Sequence, residues 1–337
     1  MLRRSSWIVT GLVAVALALV APGCGSSSGD EATPLKVAVV TDVGGLNDRG
    51  FNALAYKGLQ AAEDDLGIEG RAFISKTAAD YVPNLSTAAR QGYGLVIAVG
   101  FLMGDSTAAV AKQFPDTKFA IVDVSAPSLK GGPKNVRGIV FAEQEAGCLA
   151  GVAAATVSES GTISPVGGLK IPPVDAFIAG YQDCAKQVKP EITTLNGYSQ
   201  DFVAQDKCKE IALNQIDQGS DVVFQVAGAC GLGALNAAAD SSVWGIGVDN
   251  DQSFLGPHIL TSAQKKVDVG VSDTIGLVQD DKFVGGVDGL FNVSNDGVGY
   301  GKVSDDAPNR DDLIATLDEW ADKIASGDVT PPRTVAG

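Results

Sequence analysis

Short apolar runs alternate with longer amphipathic segments along most of the chain. The runs LVIAV at 95–99 and KFAIV at 118–122 are typical of strands that are buried on both faces. The segment 206–218 instead carries its apolar residues at helical spacing. Strand and helix patterns alternate through two successive blocks. This alternation predicts an α/β protein with two parallel sheets, each covered by helices on both faces.

The same pattern predicts where the elements begin and end. The predicted strands of the first block are 37–40, 71–75, 95–99, 118–122 and 136–141. Those of the second block are 161–166, 191–198, 221–226, 244–248 and 258–261. The first predicted helix begins at Phe51. The later predicted helices cover 81–92, 106–114, 143–157, 172–187, 206–218, 228–239, 267–279 and 311–324. A cleft between two such blocks is the default place for a small ligand.

The first strand–helix unit, residues 35–59, places polar side chains between a buried strand and a helix. Asp42, Asn47 and Asp48 lie in the turn, and Phe51 opens the helix. Ligands of parallel sheets bind beyond the carboxyl ends of the strands, so these residues are candidates for ligand contacts. The alternative is that Phe51 belongs to the core and the polar residues cap the helix. Capping suits Asp48 in particular, because the other candidates complete a site without it.

The carboxyl ends of the other predicted strands extend this set. It contains two aromatic rings, several carboxylates, one amide and one lysine, supplied by Asp42, Asn47, Phe51, Asp123, Phe202, Gly228, Asp249 and Lys265. Aromatic rings suit a flat ligand, and carboxylates accept hydrogen bonds from sugar hydroxyls or ring N–H groups. The set therefore fits a flat, neutral, hydroxyl-rich molecule. A nucleotide fits poorly, since only Lys265 is placed to meet its negative charge.

The candidate set lacks an activated nucleophile. His258 is the single histidine of the chain and precedes an apolar strand, which favours a structural role and leaves no Ser–His pair. Paired carboxylates such as Asp42 and Asp48 are the chemistry of a glycoside hydrolase. Nothing in the sequence fixes their separation, so we favour a binding protein over an enzyme.

A glycine-rich segment, GACGLG at 228–233, follows the strand predicted at 221–226. Its glycines run GxxGxG, whereas the dinucleotide-binding fingerprint is GxGxxG. We therefore expect close helix packing and close approach of the backbone to a ligand here, and no nucleotide cofactor. A single histidine and cysteines outside a CxxC spacing also argue against a zinc site.

The first 23 residues have the layout of a signal peptide. Arg3 and Arg4 precede an apolar run at 7–20, and small residues at 21–23 form a cleavage site. Cys24 follows directly, as in the lipobox of bacterial lipoproteins, which predicts a lipidated cysteine and extracytoplasmic attachment to the cell membrane. The alternative is plain cleavage with Cys24 unmodified. The stretch GSSSGDEATP at 25–34 has the composition of a flexible tether.

The cysteine content and the net charge limit which disulfides can form and which partners the protein can bind. Cys148, Cys184, Cys208 and Cys230 allow two disulfides in a secreted protein, with three connectivities open. We favour Cys148–Cys184 and Cys208–Cys230, because the members of each pair fall on neighbouring predicted elements. The formal net charge of −15 argues against nucleic acid as a partner and against electrostatic attraction to anionic lipid.

Eight segments in order along residues 35–330 carry a resemblance to a known family. They include TDVGGLNDRGFNALAYKGL at 41–59, FAEQEAGCLAGVAAA at 141–155, DFVAQDKCKEIA at 201–212 and GVDNDQ at 247–252. Together they resemble the basic-membrane-protein family of ABC-transporter substrate-binding lipoproteins, the purine-nucleoside-receptor (PnrA-like) type. Two cysteines, Cys148 and Cys230, depart from the usual pattern of that family.

The resemblance implies a type I periplasmic-binding-protein fold. Two Rossmann-like lobes would enclose a ligand cleft, and three chain segments would form the hinge between them. One lobe would consist of 35–142 with about 262–290, and the other of 143–261 with about 291–337. The resemblance also implies a monomer that serves a membrane permease.

The resemblance further assigns roles within the cleft. A purine would stack between Phe51 and Phe202, and the polar side chains of Asn47 and Asp123 would contact its base. Asp249 and Lys265 would hold the ribose, while Asp42 and Gly228 also match cleft positions. We therefore expect a receptor that delivers a purine nucleoside of the guanosine, inosine or adenosine type. The alternative is a receptor or sensor for another small solute, such as a sugar.

Overall fold

The computed structural model describes residues 33–335. The predicted signal peptide, Cys24 and the tether up to residue 32 lie outside the described residues. Within the described range, no helix is both long and apolar enough to cross a membrane. The body of the chain is built from alternating strands and helices, as the hydrophobic pattern predicts.

The strands are short and mostly buried. In chain order they are β1 (Lys36–Val40), β2 (Glu69–Phe73), β3 (Leu95–Val99), β4 (Lys118–Val122), β5 (Val136–Phe141), β6 (Thr162–Gly167), β7 (Thr193–Thr194), β8 (Gly197–Tyr198), β9 (Val222–Val226), β10 (Trp244–Asp249), β11 (Ile259–Lys265), β12 (Asp288–Phe291) and β13 (Val298–Tyr300).

The helices connect the strands and cover the sheets. In chain order they are α1 (Phe51–Leu66), α2 (Tyr81–Arg90), α3 (Gly104–Gln113), α4 (Glu143–Val157), α5 (Pro172–Val188), α6 (Gln205–Asp217), α7 (Gly228–Asp240), α8 (Val267–Gln279) and α9 (Arg310–Ser326). Short 3₁₀ turns follow several strands, for instance Phe101–Met103 after β3.

The first sheet has the strand order β12-β5-β4-β3-β1-β2, and all its pairings are parallel. Side chains of β1 alternate between its two faces. Val37 and Val39 join one apolar cluster, and Ala38 and Val40 join another. Both faces of the strand are therefore buried, which explains its unbroken apolar sequence.

The second sheet has the order β13-β11-β10-β9-β6-β7, with β8 also paired to β6. The chain passes from one sheet to the other between β5 and α4, between β11 and α8, and between β12 and β13. Strands of both sheets end at the same central region. The lobe boundaries expected near residues 142, 262 and 291 stay a prediction.

Some predicted elements were wrong or missing. The single strand predicted at 191–198 is two short pieces, β7 and β8, on either side of Leu195 and Asn196. Opposite this gap lies Pro165 of β6, which has no N–H to continue the ladder. The strands β12 and β13 were not predicted, because four and three residues carry too little pattern. The second sheet is also mixed, since β13 runs antiparallel to β11.

Candidate functional site

A cavity lies where the carboxyl ends of the two sets of strands meet. Segments after β1, β3 and β4 reach it from the first sheet, and segments after β6, β8, β9 and β10 reach it from the second. The two sides approach closely, because a Cβ added to Gly50 would lie 3.7 Å from Asp249 Oδ2.

Phenylalanine rings line the cavity from several elements. Phe51 begins α1, Phe101 follows β3, Phe177 lies on α5 and Phe202 lies between β8 and α6. Gly168 leaves room for Phe202, because an added Cβ would come within 2.3 Å of Phe202 Cε1. Rings from both halves of the chain thus border one space. Such a space suits a flat ligand that is contacted on both faces.

Lys265 is the charged centre of the cavity. Its Nζ lies 2.5 Å from Asp123 Oδ1 and 3.3 Å from Glu143 Oε1, and its side chain is 2% exposed. Burial alone would lower the pKa of Lys265, but the carboxylates of Asp123, Glu143 and Asp249 outweigh burial and raise that pKa. The ammonium also lies 5.1 Å from the centre of the Phe51 ring. Lys265 is therefore charged at neutral pH.

Asp123 and Asp249 occupy an unusual backbone conformation. Asp123 directly follows β4 and Asp249 ends β10, with left-handed φ angles of 69° and 62°. Residues other than glycine rarely adopt this conformation, and such strain is concentrated at functional sites. Burial raises the pKa of Asp123 to about 6 and that of Asp249 to about 7, while the Lys265 ammonium opposes both shifts. Both groups are hydrogen-bond acceptors in their ionised form above that range.

Asp42 follows β1, and hydrogen bonds hold one of its two carboxylate oxygens. The Tyr81 hydroxyl donates to Asp42 Oδ1, and the Val43 N–H donates to the same oxygen at 2.6 Å. Burial raises the pKa of Asp42, although the hydrogen bonds from Tyr81 and Val43 oppose the shift. The other oxygen, Oδ2, lies beside Gly100, where an added Cβ would be 3.1 Å away. Protein contacts therefore occupy one oxygen of Asp42 and leave the other near the cavity.

Asp48 caps α1. Its Oδ2 accepts from the Asn52 N–H at 2.7 Å, and its Oδ1 accepts from the Ala53 N–H at 3.1 Å. These N–H groups belong to the first turn, where no helical carbonyl is available to them. Asp48 also borders the cavity, but its oxygens are occupied by the helix end. The capping role favoured from the sequence is confirmed.

Two disulfides join helices within the described residues. Cys148 of α4 is bonded to Cys184 of α5, and Cys208 of α6 to Cys230 of α7. This is the connectivity favoured from the sequence. The second bond lies close to the cavity, because the Cys230 N–H donates to the carbonyl oxygen of Phe202 at 3.0 Å. It therefore ties the start of α7 to the segment that carries Phe202.

The structure brings most of the predicted site residues together. Those that line the cavity are Asp42, Phe51, Asp123, Phe202, Gly228, Asp249 and Lys265. Asn47 is exposed and is not part of the lining, so its role in base recognition stays a prediction. Gly228 has a left-handed φ of 55°, which suits a glycine at the tight turn from β9 into α7.

Sequence reasoning missed several residues of this region, among them two phenylalanines and a glutamate. Phe101 follows Gly100 at the end of a predicted strand, so the criterion that found Phe51 could also have found it. Phe177 lies in an apolar helical stripe that looks like ordinary core. Glu143 opens α4, where an acidic residue is expected from the helix dipole alone. Its contact with Lys265 depends on tertiary packing.

Comparison with known proteins gives consistent matches over the body of the chain. Residues 35–332 match the family described as "ABC transporter substrate-binding protein PnrA-like". The ABC transporter nucleoside-binding protein BmpA of Lactococcus lactis subsp. cremoris is 38% identical, covering 87% of this chain and 90% of the relative. An uncharacterized lipoprotein of Pyrococcus abyssi is 34% identical, covering 87% and 75%.

The fold also matches solved structures. A solute-binding protein of an ABC transporter system from Aeropyrum pernix K1 superposes with a TM-score of 0.79 and 25% identity. The match covers 88% of this chain and 93% of that one. The two-sheet fold is therefore shared with this solute-binding protein.

Proposed function

Because the chain belongs to the PnrA-like family of ABC transporter substrate-binding proteins, we propose that it binds a purine nucleoside in the central cavity for uptake. The family implies a small-molecule ligand and a permease partner. The family and the α/β fold expected from the sequence are both confirmed. The identity of the ligand is the proposal.

One observation carries the proposal: phenylalanines from both halves of the chain border the same space as a cluster of carboxylates around one lysine. Phe51 and Phe202 supply apolar faces for a planar base. Asp123 and Asp249 supply acceptors for ring N–H groups and ribose hydroxyls, and Lys265 supplies a donor. A nucleoside has both parts, a flat base and a hydroxyl-rich sugar.

The charge of the cavity supports an uncharged ligand. Asp42, Asp123 and Asp249 line it with a single lysine, and that lysine is already paired with Asp123. A phosphate group would meet carboxylates without a free cation to balance it. The Lactococcus relative is named as a nucleoside-binding protein, which supports the same ligand class.

Isothermal titration calorimetry of the purified protein tests the proposal. Guanosine, inosine and adenosine are titrated beside uridine, ribose and guanosine monophosphate. We expect at least one purine nucleoside to bind with micromolar or tighter affinity, and the monophosphate and ribose to bind far more weakly. Absence of binding heat with every purine nucleoside would overturn the proposal.

The same samples separate the alternatives. Tight binding of ribose alone would favour a sugar receptor. Chromatography of the samples after titration detects free base, and release of base would favour a nucleoside hydrolase.

We also propose that Cys24 is lipidated and attaches the protein to the outer side of the cell membrane. The lipobox-like position of Cys24 after an apolar segment supports this proposal. A related protein of Pyrococcus abyssi is named a lipoprotein.

A further inference from the structure

The segments that join the two sheets are linked by polar contacts. Glu143 begins α4 directly after β5, and Lys265 ends β11, so both lie where the chain passes between the sheets. Their side chains lie 3.3 Å apart. A further contact links the passage between β5 and α4 with the passage between β12 and β13, since the Val293 N–H donates to Glu145 Oε2 at 2.8 Å. The lysine that faces the ligand cavity is thus part of the connection between the sheets.

Arg333, near the end of the chain, holds the outer side of the same connection. Its Nη2 lies 2.9 Å from Glu143 Oε2, and its Nη1 donates to Gln144 Oε1 at 2.8 Å. Both of these nitrogens also donate to the carbonyl oxygen of Phe141 at 3.3 Å. Arg333 is half exposed, whereas the Glu143 side chain is 2% exposed. An exposed residue therefore reaches a buried carboxylate that touches Lys265.

The charge balance explains why this contact matters. The titratable groups that face one another here are Asp48, Asp123, Glu143, Glu145, Asp249, Lys265 and Arg333. Without Arg333, the Lys265 ammonium alone would face the carboxylates of Asp123, Glu143 and Asp249. Buried carboxylates that lack a paired cation are costly, and they respond by taking up protons or by moving.

We propose that Arg333 is a positioning residue that acts through Glu143 to hold Lys265 in its place for the ligand. One oxygen of Glu143 is occupied by Arg333 and the other by Lys265, so Glu143 is fixed from both sides. Without Arg333, Glu143 is free to draw the ammonium away from Asp123. The role in binding rests on the proposed function, but the arrangement of charges does not.

The test compares Arg333→Met and Arg333→Lys with the unchanged protein. Arg310→Met is the matched control, because Arg310 is also partly exposed and pairs with the exposed residues Asp305 and Asp311. The dissociation constant of guanosine is measured by calorimetry from about pH 5.5 to about pH 8, a range that spans the ionisation of Asp123 and Asp249. Melting temperatures of all variants show whether they are folded.

We expect affinity to rise with pH as Asp123 and Asp249 ionise and become acceptors. The positive charge of Arg333 lowers the pKa of Asp123, so Arg333→Met shifts the midpoint of this rise to higher pH. At about pH 6.5 this variant binds guanosine at least about fivefold more weakly. Arg333→Lys, which keeps the charge, restores most of the affinity, and Arg310→Met behaves like the unchanged protein.

A ligand-free measurement separates this proposal from the ligand assignment. Carbon-13 NMR of carboxyl-labelled aspartate follows the pKa of Asp123 in the unliganded protein, and we expect a higher value in Arg333→Met. If no nucleoside binds the unchanged protein but this shift is seen, the ligand assignment fails and the positioning role stands. An unchanged pKa of Asp123 in folded Arg333→Met would overturn the positioning role. An unchanged pH profile of binding would overturn it as well.

Discussion

At the scale of single residues, the cavity combines strained carboxylates with apolar rings. Asp123 and Asp249 have left-handed φ angles at the ends of β4 and β10, which belong to different sheets. The side chain of each is buried beside Lys265. Burying these carboxylates is costly in free energy, because each charged group loses its hydration. A ligand with hydroxyl and N–H donors would replace that hydration. In the proposed nucleoside complex, the rings of Phe51 and Phe202 contact the flat base.

The aromatic residues provide the first prediction. Phe51→Ala and Phe202→Ala should each weaken binding of a purine nucleoside by more than about tenfold, since stacking contributes roughly 1–3 kcal/mol per base. Calorimetry with the best purine ligand measures the change. Phe254→Ala is the control, because Phe254 is 56% exposed and lies outside the cavity lining. If both cavity variants bind as tightly as the unchanged protein, stacking does not hold the base.

At the scale of elements, the helix pair α4 and α5 shows how small residues permit close packing. A Cβ added to Gly147 would lie 2.0 Å from the carbonyl oxygen of Phe177, and one added to Gly151 would lie 2.1 Å from that of Tyr181. The backbones of the two helices are therefore nearly in contact. The disulfide Cys148–Cys184 joins the same pair. This packing places Phe177 of α5 and Glu143 of α4 at the cavity region.

The helix pair provides the second prediction. Gly147→Ala must push the two helices apart, and we expect a loss of about 2 kcal/mol or more in the free energy of unfolding. Gly276→Ala is the matched control. Gly276 also lies inside a helix, but an added Cβ meets no atom within 4 Å. Alanine there should stabilise the protein by up to about 1 kcal/mol, because glycine is the poorer helix former. Denaturant unfolding of both variants measures the changes, and equal stability of the two would contradict the packing argument.

At the scale of the whole molecule, the cavity depends on residues from both sheets. Asp42, Phe51 and Asp123 come from the first sheet, and Phe202 and Asp249 from the second. A ligand that bridges the two sides would stabilise their close approach, because binding favours the conformation with which the ligand makes the better contacts. The chain passages between the sheets carry Lys265 and Glu143, so Lys265 belongs both to the cavity lining and to a connection between the sheets.

Attachment to the membrane provides the third prediction. The net charge of −15 gives the chain no electrostatic attraction to anionic lipid, so the proposed attachment to the membrane rests on a lipid at Cys24. We expect the full chain, expressed in a bacterium, to incorporate radiolabelled palmitate, and Cys24→Ser to lose the label. Ser26→Ala, in the same tether, should keep it. Label in Cys24→Ser, or none in the unchanged chain, would refute lipidation of Cys24.

The sequence alone determined the order of most elements, because buried strands and amphipathic helices require distinct apolar periods. It also determined the family, the capping role of Asp48 and the candidates at strand ends, since parallel strands present those residues at one edge. Short elements such as β12 and β13 were not predicted, because a few residues are too short to show a hydrophobic period. They form strands only when a neighbouring strand pairs with them.

Only the tertiary structure decided which polar residues meet. Glu143 looks like a common acid at a helix start, and Arg333 like an ordinary residue near the chain end. Folding brings Glu143 to Lys265, across 122 residues, and Arg333 to Glu143, across 190 residues. Ion pairs of this kind have no signal along the chain, because they depend on distance in space and on burial, which only the packed sheets establish. The pKa values of Asp123 and Asp249 follow from the same burial.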